Sequence, residues 1–220
     1  MLKLALFDLD NTLLLGDSDH TWGTFLSEIG AVNANEQMKA QDYFYAQYQA
    51  GTLDIHEFLE FQFTSLKNNS MEQLNAWREQ YIESHIKPII SQKRLDLVQQ
   101  HKQQGHETII ITATNSFVTR PIATLFGIEH LIATEPERNI HGFTGKLDGI
   151  PCFQSGKIEK LNDFLSENFS GTTLDNAETW FYSDSHNDLP LLEAATHAIA
   201  VTPDEKLSKH ANKHNWEIIQ

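Results

Sequence analysis

The sequence predicts an α/β fold in which a Rossmann-like parallel sheet core carries an inserted helical cap. Buried strands alternate with helices through the second half of the chain, and a long stretch with helical spacing separates the first strand from them. The 220 residues, 40% of them hydrophobic, are enough for such a core and an insertion. We therefore expect a core of residues 1–15 and 88–220 and a cap of residues 16–87.

The first strand and the insertion differ in their hydrophobic patterns. Leu4 to Phe7 form a short apolar run that ends in acidic residues, which is typical of a strand buried on both faces. From residue 19 to residue 86 the apolar residues recur at helical spacing, and many of them are aromatic. Within this stretch, Ser70 followed by Gln73 has the form of a capping box and predicts the start of a helix.

Strands and helices alternate after residue 88. The predicted elements are a helix over 89–104, a strand over 108–112, a helix over 117–125, a strand over 130–134, a hairpin over 139–149, a helix over 157–169, a strand over 179–183, a helix over 189–195 and a strand over 198–201. Thr202, followed by Pro203, predicts the N-cap of a final helix. A parallel sheet of this kind binds ligands at the carboxyl ends of its strands.

Charge and cysteine usage exclude several classes of protein. With 16 Lys and Arg against 30 Asp and Glu, the formal charge of −14 disfavours binding to nucleic acid or to an anionic membrane surface. The single cysteine, Cys152, has no partner for an internal disulfide. Because no apolar stretch approaches the roughly 20 residues needed to span a bilayer, we expect a cytoplasmic protein.

Acidic and hydroxyl residues stand where the predicted strands end. Asp8 and Asp10 follow the first strand, Thr112 ends the second, and Asp184 follows the strand over 179–183. The carboxyl ends of parallel strands meet at one edge of the sheet, so we expect these side chains to lie together. Closely spaced carboxylates repel each other, which recruits a cation or raises the pKa of one of them.

Four segments in order resemble the motifs of the haloacid dehalogenase superfamily in its phosphatase form. They are Asp8-Leu9-Asp10-Asn11-Thr12 after the first strand, Thr112 after the second, Lys157 in Ser-Gly-Lys, and Ser183-Asp184-Ser185-His186-Asn187-Asp188. A single motif of this kind is weak, but the ordered set in the right strand context is specific. The helical insertion between the first two motifs resembles the cap of the phosphoserine phosphatase-like branch.

The resemblance implies a role for each motif residue in hydrolysing a phosphomonoester. Asp8 would be the nucleophile that forms an aspartyl-phosphate, and Asp10 the general acid and base. Asp8, the backbone carbonyl of Asp10, and Asp184 would hold Mg²⁺. Thr112 and Lys157 would bind the phosphate oxygens. We expect Asp188 and the neighbouring Asn187 to contact the residues that bind the metal and the phosphate, without binding the substrate themselves. Asp188 would orient metal-bound water or pair with Lys157.

The expected substrate is a small phosphorylated metabolite. The segments around Asp17, Thr112 to Asn115, and Asn187 to Leu189 resemble a bacterial subgroup that includes histidinol-phosphate phosphatases. Asp17 and Asn115 are therefore candidates for substrate contact, and Asp17 suits an ammonium or imidazolium group. Histidinol phosphate is the first expectation and phosphoserine the second.

Two other functions are compatible with some of these motifs. A phosphotransferase or mutase would use the same aspartyl-phosphate with an alcohol as the acceptor. A signalling receiver module also combines a strand-end Asp, a Thr or Ser, a Lys and Mg²⁺, but it lacks the large insertion and the pair Asp184 and Asp188.

Overall fold

The structure is a computed structural model that describes all of residues 1–220. Its strands are β1 (Lys3–Phe7), β2 (Glu107–Asn115), β3 (His130–Asn139), β4 (Gly142–Asp148), β5 (Glu178–Ser183), β6 (His197–Val201) and β7 (Glu217–Ile219). They form one sheet in the order β4-β3-β2-β1-β5-β6-β7, in which β3 and β4 alone pair antiparallel. The predicted α/β class with a mainly parallel sheet is confirmed.

Nine α-helices accompany the sheet. They are α1 (Ser18–Glu28), α2 (Ala34–Ala50), α3 (Ile55–Lys67), α4 (Met71–Tyr81), α5 (Gln92–Gln103), α6 (Ser116–Leu125), α7 (Ser155–Asn168), α8 (Leu189–Ala194) and α9 (Glu205–His214). In the chain, the first four helices follow β1 and precede β2, where the sequence predicts a helical insertion. No helix combines the length and the apolar character that crossing a membrane requires.

Side chains from β1 alternate between two hydrophobic clusters. Ala5 and Phe7 belong to a cluster that includes residues of α1, α3, α4 and α6, whereas Leu4 and Leu6 face a second cluster with residues of α7, α8 and α9. All four are fully buried, so β1 lies in the middle of the sheet with both faces covered. This position brings the residues that follow β1 to the centre of the sheet edge.

The inserted helices share the first cluster with the sheet. Trp22 of α1 and Tyr81 of α4 pack in the same cluster as Phe117 of α6. Pro121 has no N–H to bond the Phe117 carbonyl within α6, and this oxygen instead accepts a hydrogen bond of 2.8 Å from Arg78 Nη1 of α4. The division into a core and a cap at residues 16–87 remains a prediction.

Local sequence signals differ from the structure at the start of α9 and at β7, and agree with it at the start of α4. Thr202 is not the N-cap of α9: it is exposed with φ +41°, and Asp204 caps the helix by accepting from the Leu207 N–H at 2.8 Å. Ser70 caps α4 by accepting from the Gln73 N–H at 3.2 Å. The short strand β7 was not predicted, because its three residues become a strand only by pairing with β6.

Candidate active site

A cavity of about 400 Å³ opens at the carboxyl ends of β1, β2 and β5. The sequence-predicted residues that line it are Asp8, Asp10, Asp17, Thr112, Lys157, Asp184, Asn187 and Asp188. Because adjacent parallel strands end at the same edge, residues far apart in the chain meet there. Helices α1, α2 and α3 supply the facing wall.

Lys157 joins two carboxylates at the base of the cavity. Its Nζ donates to Asp8 Oδ1 at 2.8 Å and to Asp188 Oδ2 at 2.7 Å, and Ser183 Oγ donates to the same Asp188 oxygen at 2.7 Å. All four residues are buried. A buried charge is tolerated only when it is paired and hydrogen-bonded, which this arrangement provides.

Burial dominates the electrostatics of this group. Burial raises the pKa of Asp8 to about 7, and Asp188 and Asp10 add to the rise against the opposing effect of Lys157. Burial alone would lower the pKa of Lys157, but Asp188 and Asp8 outweigh it, so its pKa is raised. Lys157 is therefore positively charged at neutral pH, whereas burial and the neighbouring acids disfavour the charge of Asp8.

Asp10 is held on the cavity wall by two hydrogen bonds. The Ser18 N–H donates to its Oδ1 at 2.6 Å, and Thr114 Oγ1 donates to its Oδ2 at 2.7 Å. Burial, with a further contribution from Asp17, raises the pKa of Asp10 to about 7. The carboxyl group is thus oriented and able to take up or release a proton near neutral pH.

Asp184 is tied to the first motif through Thr12. The Thr12 hydroxyl donates to Asp184 Oδ1 at 3.3 Å and accepts from the Asp184 N–H at 3.1 Å. Burial, together with Asp8 and Asp188, raises the pKa of Asp184 well above its ordinary value. No cation pairs with the Asp184 carboxylate, so positive charge brought next to it would be stabilised.

The donor set suits a hard divalent cation. Asp8, Asp10 and Asp184 all have raised pKa values on the same cavity, which a nearby cation would lower. The structure contains no group of three or more His, Cys, Asp or Glu side chains arranged to hold a metal ion. Mg²⁺ is usually held by one or two carboxylates together with waters and substrate phosphate oxygens, and the residues present fit that pattern.

Thr112 and Asn187 both line the cavity. Thr112 is buried, and its Oγ1 accepts from the Thr114 N–H at 3.2 Å. Asn187 Nδ2 donates to the Tyr48 carbonyl at 3.2 Å, and its Oδ1 accepts from Gln154 Nε2 at the same distance. Asn187 thereby joins helix α2 to the loop that carries Asp184 and Asp188.

The two candidates for substrate contact are placed differently. Asp17 lines the cavity and also caps α1, because its Oδ1 accepts from the N–H groups of Asp19 and His20 at 2.9 and 2.8 Å. Asn115 does not line the cavity. Its Oδ1 accepts from the Val118 N–H at 3.1 Å, so this buried side chain is used as the N-cap of α6.

Several cavity residues were missed in the sequence. The helices α1 to α3 add polar and aromatic side chains, among them Asp19, His20, Gln41, Phe44, Tyr48, Phe58 and Gln62. Helical spacing placed these residues in the cap, but spacing alone does not show which side of each helix faces a cavity. Thr114 was also missed as a site residue, although it lies two positions after Thr112.

Lys206, which lines the cavity, binds the C-terminal end of α2. Its Nζ donates to the carbonyl oxygens of Gln49 and Ala50, both at 2.9 Å. It also lies 3.2 Å from His186 Nε2, while His186 Nδ1 lies 2.7 Å from Asp204 Oδ2. A cation at a helix C-terminus is favourable, so this contact stabilises the packing of α2 against the core.

Comparisons with known proteins point to one family. The chain matches the haloacid dehalogenase-like hydrolase model over residues 5–193. A protein of Neisseria meningitidis serogroup C (strain 8013), described as a histidinol-phosphatase, is 42% identical, over 100% of this chain and 99% of its own length.

Solved structures show the same fold. The crystal structure of a protein of unknown function from Bordetella pertussis Tohama I has a TM-score of 0.93 and 40% identity, over 100% of this chain and 99% of that one. A phosphoserine phosphatase, captured as a phospho-aspartyl intermediate analogue, has a TM-score of 0.70 at 18% identity, over 99% of this chain and 92% of that one. At this identity the similarity shows the fold alone. Since the family match spans most of the chain and a relative is 42% identical along its whole length, the chain belongs to the haloacid dehalogenase-like hydrolase family.

Proposed function

We propose that this chain is a Mg²⁺-dependent phosphatase that hydrolyses a small phosphomonoester through an aspartyl-phosphate on Asp8. The observation that carries the proposal is the buried array of Asp8, Lys157 and Asp188, with Asp10 and Asp184 on the same cavity. A carboxylate beside a lysine at the end of a central strand is suited to attack a phosphoryl group whose charge the lysine offsets.

In the first step, a carboxylate oxygen of Asp8 attacks phosphorus and the bond from phosphorus to the ester oxygen breaks. The leaving alkoxide takes a proton from the Asp10 carboxyl group and departs as an alcohol. Lys157 and the Thr112 hydroxyl bind non-bridging oxygens of the phosphoryl group, which move with phosphorus to Asp8. Asp188 keeps Lys157 in place through the bond of 2.7 Å.

In the second step, a water molecule attacks the phosphorus of the aspartyl-phosphate and gives its proton to Asp10. The acyl phosphate bond breaks, which frees the Asp8 carboxylate and releases inorganic phosphate. Asp10 is then protonated again for the next cycle. Its two hydrogen bonds keep the carboxyl group at one place for both proton transfers.

Asp8, Asp184 and the backbone carbonyl of Asp10 are the groups that would hold Mg²⁺. When bound, the ion neutralises charge between the phosphate and the attacking carboxylate. The raised pKa values of Asp8 and Asp184 support this assignment, because burial first, and neighbouring carboxylates second, disfavour the charge of both groups where no cation is bound.

The cavity wall favours a substrate with a cationic group. Asp17 and Asp19 present acidic side chains from the start of α1, and Phe44 and Phe58 add apolar surface. The Neisseria relative described as a histidinol-phosphatase supports an amine- and imidazole-bearing ester. We therefore propose histidinol phosphate as the first substrate and phosphoserine as the second.

The test is a comparison of kcat/KM over phosphorylated amino acids, amino alcohols and sugars, with Mg²⁺ and with a chelator. We expect Mg²⁺-dependent release of phosphate, highest with histidinol phosphate, and a phosphorylated protein that is acid-stable and labile to hydroxylamine. Asp8→Asn should abolish both signals, whereas Asp96→Asn on the exposed face of α5 should keep them. Full activity of Asp8→Asn, or no cleavage of any ester by the wild type, would falsify the proposal.

The substrate assignment has its own test. Asp17→Asn should raise KM for histidinol phosphate and phosphoserine but leave kcat/KM for p-nitrophenyl phosphate, which has no amine, within about twofold. An equal loss on all three esters would show that Asp17 acts by capping α1 and not by binding the substrate.

A further inference from the structure

We propose that Thr114 is a positioning residue that orients the Asp10 carboxyl group toward the leaving oxygen of the substrate. The inference rests on the proposed phosphatase function and adds a residue outside the four motifs. Thr114 stands two positions after Thr112, at the end of β2, where the chain reads Thr112-Ala113-Thr114.

The contact itself is direct and buried. Thr114 Oγ1 donates to Asp10 Oδ2 at 2.7 Å, and Thr114 is only 8% exposed. The Ser18 N–H holds the other oxygen, Oδ1, at 2.6 Å. Each oxygen therefore has one partner, and the two partners come from different elements, β2 and α1. Together the two hydrogen bonds set the rotation of the Asp10 carboxyl group about its Cβ–Cγ bond.

The two partners are not equivalent. The start of α1 is anchored from its other side, because the buried Tyr81 of α4 donates from its hydroxyl to the Ser18 carbonyl at 2.7 Å. A backbone N–H can only donate, whereas a hydroxyl both donates and accepts. Thr114 supplies its hydrogen bond from a side chain, so a substitution can remove this partner alone and leave the Ser18 N–H in place.

A role in orienting a general acid has a distinct kinetic signature. The leaving group of an alkyl ester is a strongly basic alkoxide, which needs the proton from Asp10. The leaving group of p-nitrophenyl phosphate is the weakly basic p-nitrophenolate, which departs without a proton. Loss of the Thr114 hydroxyl should therefore lower kcat/KM for alkyl esters and leave kcat/KM for the aryl ester nearly unchanged. This parameter covers only the steps up to release of the alcohol, and so excludes the second step, in which Asp10 serves every ester alike. A general loosening of the site would slow both.

The experiment compares kcat/KM of wild type, Thr114→Val and Thr114→Ser for histidinol phosphate, phosphoserine and p-nitrophenyl phosphate. For Thr114→Val we expect kcat/KM for the two alkyl esters to fall about ten- to one-hundredfold, the range for losing a hydrogen bond to a charged group. Thr114→Ser keeps a hydroxyl and should restore kcat/KM. Thr119→Val is the matched control, because Thr119 is also buried but its hydroxyl donates to the Asn115 carbonyl.

The outcomes separate the two proposals. An active wild type whose Thr114→Val variant loses kcat/KM equally for alkyl and aryl esters, or for neither, overturns the positioning role and leaves the phosphatase function standing. A wild type inactive on all three esters overturns the function and this inference with it. If Thr114→Val does not fold, as judged by its thermal transition, Thr114→Ala against Thr114→Ser gives the same comparison between two smaller side chains.

Discussion

Lowering the pH from 7 to 5 is expected to destabilise the fold through one buried imidazole, that of His101 in α5. His101 Nε2 lies 2.8 Å from the Tyr182 hydroxyl, and its Nδ1 lies 2.8 Å from His106 Nδ1. His101 is 5% exposed. Burial, with a further contribution from His106, lowers the pKa of His101 to about 4. The folded protein therefore holds this side chain neutral in the range where an unfolded chain protonates it.

The magnitude follows from the two pKa values. The unfolded state takes up a proton at His101 as the pH falls below 6.5, but the folded state does so only near 4. Between these values the unfolded state binds one more proton, so the free energy of unfolding falls by about 1.4 kcal/mol for each pH unit lost. The contribution is fully present above pH 6.5, falls by roughly 2 kcal/mol at pH 5, and is lost to the extent of roughly 3 kcal/mol at pH 4.

Urea unfolding of wild type and His101→Gln at several pH values measures this contribution. Glutamine does not titrate but keeps a donor and an acceptor for Tyr182 and His106. The variant should be less stable at pH 7, and its stability should fall less steeply than that of the wild type between pH 6.5 and 4.5. His106, with Lys3 and Glu178 near it, titrates in both proteins, so the difference between the slopes reports on His101.

The expected difference between the slopes is about one proton, or 1.4 kcal/mol per pH unit. Parallel curves for the two proteins would refute the reasoning, because they would show that His101 takes up a proton equally readily in the folded and the unfolded chain. A steeper fall for the variant would refute it as well.

Two further predictions concern lysines. Lys157→Met leaves Asp8 and Asp188 buried without their cation, so urea unfolding at pH 8 in a chelator should show a loss of about 3–5 kcal/mol; a loss below about 1 kcal/mol would contradict the pairing. Lys206→Met removes the cation at the end of α2 and should speed amide exchange over residues 47–51. Lys209→Met, which loses only an exposed pair with Glu205, is the control; equal exchange in the two variants would contradict the contact.

Hydrophobic patterns predicted secondary structure best where all side chains of a segment are buried. The apolar run before Asp8 predicted a strand buried on both faces, and the structure places it at the centre of the sheet. The pattern failed where pairing at a distance decides the conformation. β2 extends to Asn115 and β3 to Asn139, beyond the strands predicted, because β3 pairs with β2 at one end and with β4 at the other.

A residue type that favours the N-cap predicted the start of a helix only where the backbone has the extended angles of an N-cap. Ser70 has extended backbone angles and accepts from Gln73, as its sequence context predicts. Thr202 has the right residue type at a plausible spacing, but its φ of +41° and its exposure leave it outside the helix. Its N–H instead donates to the Ile219 carbonyl at 2.8 Å, a contact with the end of β7 that no local rule anticipates.

The sequence by itself determined the fold class and which acids, hydroxyls and lysine gather at one edge of the sheet. The fold class follows from the alternation of strands and helices, and the grouping follows from the place of the residues in these elements. Asp8 and Asp184 come directly after β1 and β5. Thr112 lies near the carboxyl end of β2, and Lys157 lies in the first turn of α7. Only the tertiary structure decided which cap side chains face the cavity and which hydroxyl holds Asp10. Thr114 and Asp10 are 104 positions apart, and their contact depends on how β1, β2 and α1 pack together, which no pattern within a segment encodes.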